Sequence, residues 1–348
     1  MGEYTAQISG SYTITAPRPL TTPLRPVAGR SLPGGGEGAR GHGARAYHGG
    51  LFRRFQPFPR SFPLFFEEAR PSVQVIFLMR FLAGALVSAG GFSALGAPMA
   101  EAAAAWVLAT LFTYGINGVC DVREDRVNRT GRPIARGALP ARTAAVWTWL
   151  CAAGSVVLTL LSGSTLLTGY DLLFLLLGYA YSAAPFQLKR SAAGTSGSVL
   201  LMGLLTYAAG WTAAGRTLPS GPALAVAVAM SLWMAAVGAV TKDFSHVTGD
   251  AAAGRRTSVT AWGDGTARLA GAFGALLVAA GFAAVAVRWP ALLGPAASVL
   301  AGGAVTVAVL CGTTRGNAAR GRTPYRAFMV TQHLVHLALF AALAWTAR

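Results

Sequence analysis

Residues 117–139 read NGVCDVREDRVNRTGRPIARGAL. The stretch follows a long apolar run and gathers Asp121, Glu124 and Asp125 with Arg123, Arg126, Arg129, Arg132 and Arg136, in a chain where only 12% of residues are charged. Asn117, Asp121 and Asp125 stand four apart, so a helix continuing out of the apolar run would carry all three on one face. An amide and two carboxylates on one face, flanked by arginines, suit a divalent cation such as Mg²⁺ and the phosphate groups it carries. The bland reading is that these are helix-end acids paired with neighbouring arginines.

Outward from this stretch the chain is apolar. It has 348 residues, 53% of them hydrophobic, in repeated runs of about 20 residues, the length that crosses hydrocarbon. Such runs argue against a soluble helical protein with a large core. They lack the alternation of a transmembrane barrel. The expectation is an all-α polytopic membrane protein with nine spans, near 72–93, 97–119, 142–163, 165–184, 194–213, 222–241, 267–287, 291–311 and 327–347. The formal charge of +17 does not mark a nucleic-acid binder, because the basic residues fall in short loops between spans. Alternate loops and the N-terminal arm hold 25 of the 29. The opposite side holds Arg216, Arg288 and Arg348, and Arg80 lies inside the first span. That bias predicts a cytoplasmic N-terminus, with both acidic clusters on the cytoplasmic side.

Residues 1–70 are rich in Gly, Pro, Ser and Arg and lack helical periodicity, so a disordered cytoplasmic arm is expected there, followed by a membrane domain over 71–348. The arm either rests on anionic lipid or is an inert extension. No signal peptide is evident. Cys120, Cys151 and Cys311 suggest small buried hydrophobes rather than a disulfide framework or zinc site.

A second polar cluster, TKDFSHVTGDAAAGRRTS, occupies 241–258. Asp243, His246 and Asp250 are spaced i, i+3, i+7, again one helical face. Two acid-bearing faces at one membrane boundary would repel unless a cation lay between them. Between the clusters, residues 179–191 read YAYSAAPFQLKRS. Tyr179 and Tyr181 suit either an interfacial belt or the orientation of phosphate. Lys189 is either a point charge for phosphate or a marker of the positive side. Arg80 is expected to face an internal cavity, against snorkelling out of the bilayer. His333 and His336 read as core hydrogen-bonding groups. Asp171 has no assigned role.

These segments together resemble the UbiA-type intramembrane prenyltransferases. That family's first motif, an Asn followed by acids at +1, +4 and +8 and then Asn, Arg-Pro and Gly, is similar to Asn117, Asp121, Asp125, Asn128, Arg132, Pro133 and Gly137. Its Tyr-Ser-x-Pro-Pro-x-Arg-Leu-Lys segment is similar to Tyr181, Ser182, Pro185, Leu188 and Lys189. Its second motif, Lys-Asp-x-x-Asp-x-x-Gly-Asp, is similar to Lys242, Asp243, Gly249 and Asp250. Gly118 and His246 stand where acids are usual. The three motifs occur in order over about residues 70–348, and nine spans is the family's number.

The resemblance implies Mg²⁺-dependent transfer of a prenyl group from a polyprenyl diphosphate to an aromatic acceptor, within a bilayer. Asp121, Asp125, Asp243 and Asp250 would be the catalytic metal ligands, with His246 either a further ligand or base or a hydrogen-bonding spacer. Asn117, Arg132, Lys189, Lys242, Tyr179, Tyr181 and Arg80 would bind the diphosphate end. A bacterial cell membrane fits the Ala, Gly and Arg richness. The rival readings are a membrane terpene cyclase of the same superfamily and, from another class, a lipid-binding or transport protein.

Overall fold

Proline and serine mark where the helices of this chain begin. Pro71, Pro98, Pro222, Pro290 and Pro324 each occupy the first turn of a long helix, where the missing N–H costs no intrahelical bond. Ser164 and Ser191 cap two others, and Ser220 caps the helix that carries Pro222; their hydroxyl oxygens accept from the Leu167, Gly194 and Ala223 backbone N–H groups. A computed structural model describes residues 58–317 and 320–347.

A short helix α1 (Phe62–Glu68) precedes the first span. The rest are α2 (Pro71–Ala89), α3 (Ala97–Cys120), α4 (Val122–Val127), α5 (Ala141–Leu161), α6 (Thr165–Ser182) and α7 (Ala192–Ala213). They are followed by α8 (Gly221–Ser245), α9 (Val247–Ala252), α10 (Ser258–Trp262), α11 (Asp264–Ala286), α12 (Pro290–Thr313) and α13 (Thr323–Thr346). No strand occurs among the described residues. Eight helices are long and apolar enough to cross a membrane. The ninth expected span, α6, has 18 residues and carries Asp171, which lowers its apolar character. Asp171 is fully buried and accepts a hydrogen bond from Ser155 on α5 at 3.2 Å, which gives it a packing role. The protein is an integral membrane protein of all-α architecture.

Small residues let the helices close up. Gly84 on α2 lies against the Tyr207 carbonyl, and Gly210 on α7 lies against the Phe81 carbonyl, so a Cβ at either place would strike backbone. Arg80 is fully buried in the same region. It donates to Met230 O at 3.3 Å and Gln332 Oε1 at 2.9 Å, and it also contacts Met234 Sδ. Buried His336 pairs with Tyr207 at 2.7 Å, as expected of a core histidine, whereas His333 is only partly buried and makes an interhelical contact with Ser72 O at 3.3 Å.

Two expectations are corrected here. The disordered arm cannot extend to residue 70, because residues 58–68 are helical and the segment from 61 onward is packed. Phe65 and Glu68 are fully buried, and Ser61 receives a hydrogen bond from Trp147 Nε1 at 2.9 Å. An aromatic periodicity, FPLFFEE, was masked by the Arg- and Pro-rich sequence around it. Residues 1–57 lie outside the described residues. Of the cysteines, Cys151 and Cys311 are buried, but Cys120 is exposed at the end of α3.

Candidate active site

Neither acidic cluster forms the continuous helical face that its spacing suggests. α3 ends at Cys120, Asp121 leaves helical geometry at φ −97° and ψ 10°, and α4 restarts one residue later. The second cluster repeats the device: α8 tightens to a 3₁₀ turn over Lys242–Ser245, His246 breaks at φ −119° and ψ 9°, and α9 restarts. Each break is followed by a six-residue helix. The two short helices meet, and Asn128 Oδ1 accepts from the Gly249 backbone N–H at 3.0 Å. Gly249 is required there, since a Cβ would strike the Asn128 amide.

The loop after α6 joins them. Backbone bonds from Arg256 N to Arg190 O at 2.7 Å and from Ala192 N to Arg256 O at 2.9 Å tie it to the chain beyond α9. This sets Lys189 Nζ 2.6 Å from Asp121 Oδ1. Arg255 reaches the same oxygen at 2.6 Å, Glu124 at 3.1 Å and Asp250 Oδ1 at 3.5 Å. Arg132 holds Asp125 Oδ2 at 2.8 Å, and Ser258 donates its N–H and hydroxyl to Asp243 Oδ2 at 3.1 and 2.8 Å. Lys242 Nζ donates to Tyr181 Oη at 3.0 Å.

Asp121, Asp125, Asp243 and Asp250 are all buried, and buried carboxylates persist only when paired. Burial pushes the Asp121 carboxyl up, but Lys189 and Arg255 outweigh it and hold it below the ordinary aspartate range. For Asp250 burial wins, reinforced by Asp243, and its pKa rises to about 6. Burial holds the His246 imidazole below its usual value, against the Lys242 carbonyl hydrogen bond at 2.8 Å and helped by the charges of Lys242, Arg70 and Arg322.

The four aspartates line one pocket of about 160 Å³, together with Asn117, Lys189, Lys242, His246 and Tyr181. Its polar mouth gives way to Phe77, Tyr114, Met202, Met234 and Phe328. Three expected site residues do not line it. Arg132 lies behind, spent on Asp125 and Glu68. Tyr179 turns towards Trp149, with ring centroids 6.4 Å apart. Arg80 sits beneath Met234 and Phe77 and is held by protein partners. Sequence reasoning missed Arg255 as a site residue, reading it only as one positive loop charge. Its place five residues after Asp250 was the available signal. Arg70, Arg322 and Tyr325 on the pocket wall were also missed.

The donors fit a hard cation. Each of the four aspartates commits one oxygen to the partners above, and the other has no hydrogen-bond partner among the described residues. No three acid, His or Cys groups among the described residues stand close enough to enclose an ion by themselves. Mg²⁺ does not require such a cage, since it binds through one or two carboxylates, waters and substrate phosphates.

The model of the UbiA prenyltransferase family matches residues 77–344. Residues of this chain are 34% identical over 146 positions to a probable homogentisate phytyltransferase 2 of Oryza sativa subsp. japonica, covering 40% of this chain and 38% of that protein. They are 28% identical over 184 positions to a 2-acylphloroglucinol 4-prenyltransferase of Humulus lupulus, covering 51% and 45%. The match therefore spans under half the length of either relative. The fold is that of a UbiA homolog from Archaeoglobus fulgidus solved bound to GPP and Mg²⁺, with a TM-score of 0.61 at 15% identity over 81% of this chain and 99% of that one. A UbiA homolog from Aeropyrum pernix K1 superimposes with a TM-score of 0.57 at 22% identity, over 76% and 96%.

Proposed function

This chain belongs to the UbiA prenyltransferase family, and we propose that it moves a prenyl group from a polyprenyl diphosphate to a ring carbon of an aromatic acceptor. The observation that carries the reading is the pocket itself. Four carboxylates from two chain segments ring its mouth, each with an oxygen to spare, above an apolar and aromatic interior. A ligand matching both ends has an anionic head and a hydrocarbon tail.

Asp121, Asp125, Asp243 and Asp250 would hold Mg²⁺, with Asn117 assisting. When bound, the ion supplies charge neutralisation to the diphosphate oxygens. Lys189, Lys242 and Arg255 add positive charge at the same mouth and favour departure of the diphosphate. The donor C1–O bond breaks, and the diphosphate leaves with the electron pair. Phe77, Tyr114 and Phe328 exclude water from the allylic cation and offer it π faces. A ring carbon of the acceptor forms the new C–C bond and then loses its proton. The net exchange is a ring C–H for a ring C–prenyl bond, with diphosphate and a proton released. The basic loops share the pocket's end of the bundle, which supports a cytoplasm-facing site.

The test is purified protein with prenyl diphosphates of graded length, Mg²⁺ and a phenolic acceptor, followed by mass spectrometry and diphosphate assay. Prenylated phenol together with released diphosphate is expected, both lost in EDTA. Cyclic hydrocarbon made without acceptor would convert the reading to a cyclase. No diphosphate release from any donor would favour the lipid-binding or transport reading.

A further inference from the structure

Five carboxylates line the pocket, those of the four aspartates and Glu124, and five fixed cations line it with them: Arg70, Lys189, Lys242, Arg255 and Arg322. Counted with His246 neutral, this lining carries no net formal charge. The protein's own acids are therefore already balanced, and a bound cation has only the diphosphate left to offset. Gly118 and His246, which stand where the resembling motifs carry acids, leave the chain two acids short of those motifs.

Arg255 is placed unlike the other four cations. Asp121, Glu124 and Asp250, drawn from both acidic segments, converge on its two terminal nitrogens at 2.6, 3.1 and 3.5 Å. Among the described residues no other cation pairs with three acids. Without a positive charge at their centre these carboxylates would repel one another. The backbone on either side fixes the residue. Arg255 N donates to Asp250 O at 2.9 Å, its carbonyl accepts from Thr260 Oγ1 at 2.7 Å, and Arg256 N donates to Arg190 O at 2.7 Å. The guanidinium is thus in position before any ligand arrives and needs no reorganisation as charge develops. Its Nε–H has no hydrogen-bond partner among the described residues, which leaves a donor for a phosphate oxygen.

We propose that Arg255 takes the place of one divalent cation, so that this chain loads a single Mg²⁺ with its prenyl diphosphate, a reading that rests on the prenyl transfer proposed above. The guanidinium neutralises Asp121, Glu124 and Asp250 and donates to the diphosphate. The aspartate oxygens that Lys189, Arg132, Ser258 and Arg255 do not occupy remain for the one ion. A covalently tethered charge is neither chelated nor diluted away. The chain therefore keeps a positive group beside the leaving diphosphate at any free Mg²⁺ concentration.

The experiment is equilibrium dialysis of the full-length protein, stripped of metal, against Mn²⁺ and a prenyl S-thiolodiphosphate, whose C–S bond resists ionisation. Elemental analysis gives the excess Mn²⁺ per bound analogue in the protein compartment, so ions are counted without turnover. The parent is expected to bind one Mn²⁺ per analogue. Arg255→Gln frees Asp121, Glu124 and Asp250 for a metal ion and is expected to bind two. Two ions in the parent overturn the proposal and leave the prenyl-transfer reading standing. A count of one in Arg255→Gln overturns it as well, because the place the guanidinium vacates would then not be an ion's place. If Arg255→Gln does not fold, the parent's count decides alone. A parent that binds neither Mn²⁺ nor the analogue sinks the prenyl-transfer reading, and this proposal with it.

Discussion

Arg255 reaches back across 134 residues of chain to donate to Asp121 at 2.6 Å, and its other terminal nitrogen stands 3.5 Å from Asp250. One guanidinium thus couples the two helix breaks on which the site is built. It does electrostatically what a divalent cation would do there, reducing repulsion among Asp121, Glu124 and Asp250.

That duplication predicts a conditional stability defect. In Arg255→Gln the acids lose their shared counter-charge, so thermal unfolding in EDTA is expected several degrees below the parent. Added Mg²⁺ should return most of the loss, because a ligand that binds only the folded state stabilises it by mass action. Melting curves with and without the ion read the difference. An equal deficit in both conditions would mean that Arg255 merely packs.

Asp121→Ala and Asp250→Ala should each lower diphosphate release by about a hundredfold or more, with the protein still inserted and monodisperse. Asp121 loses contact with both Lys189 and Arg255 in the first variant, so the insertion control matters most there. A variant that turns over at the parental rate removes its residue from the ion's coordination.

Much of this was legible from the chain because apolar length and loop charge are one-dimensional properties. Which residues form spans, and that Asp121 and Asp250 share one end of the bundle, follow from hydrocarbon thickness and the basic bias. What the spacing misread was continuity: a four-residue period reads as one helical face, yet Asp121 and His246 each end a helix, and the turn delivers the next acid from a new direction. Partner identity was also hidden. Arg132 carries a motif's charge but faces Glu68, a residue from a helix that composition had assigned to an unstructured arm.

The position of α1 sets where truncation becomes harmful. Deleting residues 2–57 leaves Phe65, Glu68 and the Trp147 contact intact and should preserve turnover in detergent. Deleting residues 2–70 removes Phe65, Glu68 and Arg70, the residue at the N-cap of α2, and should abolish it. Side-by-side assays of the two truncations at equal protein check the boundary. Equal activity in both would mean that α1 is dispensable.

Gly118 carries the most specific prediction. It stands where an acid is usual in the resembling motif, and a Cβ built there meets Glu68 Oε1 and, at 2.8 Å, Arg132 Nη2. Glu68 is fully buried, holds Arg132 Nε at 2.8 Å and accepts from the Ile134 N–H at 2.9 Å. Arg132 in turn holds Asp125. The Glu68 carboxylate of α1 thus lies beside Gly118, where the motif has an acid, and touches the site's Asp125 only through Arg132. Burial raises the Glu68 pKa despite the Arg132 charge opposing it, so this anion is held at a cost that its partners offset. Removing one member of such a buried pair costs about 3–5 kcal/mol. Glu68→Ala should accordingly lower stability and shift the Mg²⁺ concentration needed for half-maximal activity upward, by loosening Asp125. Gly118→Asp alone should also be damaging, because two carboxylates would compete for one guanidinium. The double variant Glu68→Ala with Gly118→Asp moves the charge back onto α3, beside the same Arg132, and should recover Mg²⁺ affinity beyond either single change. Independent, additive losses in the double variant would show that the two positions do not share one carboxylate's role.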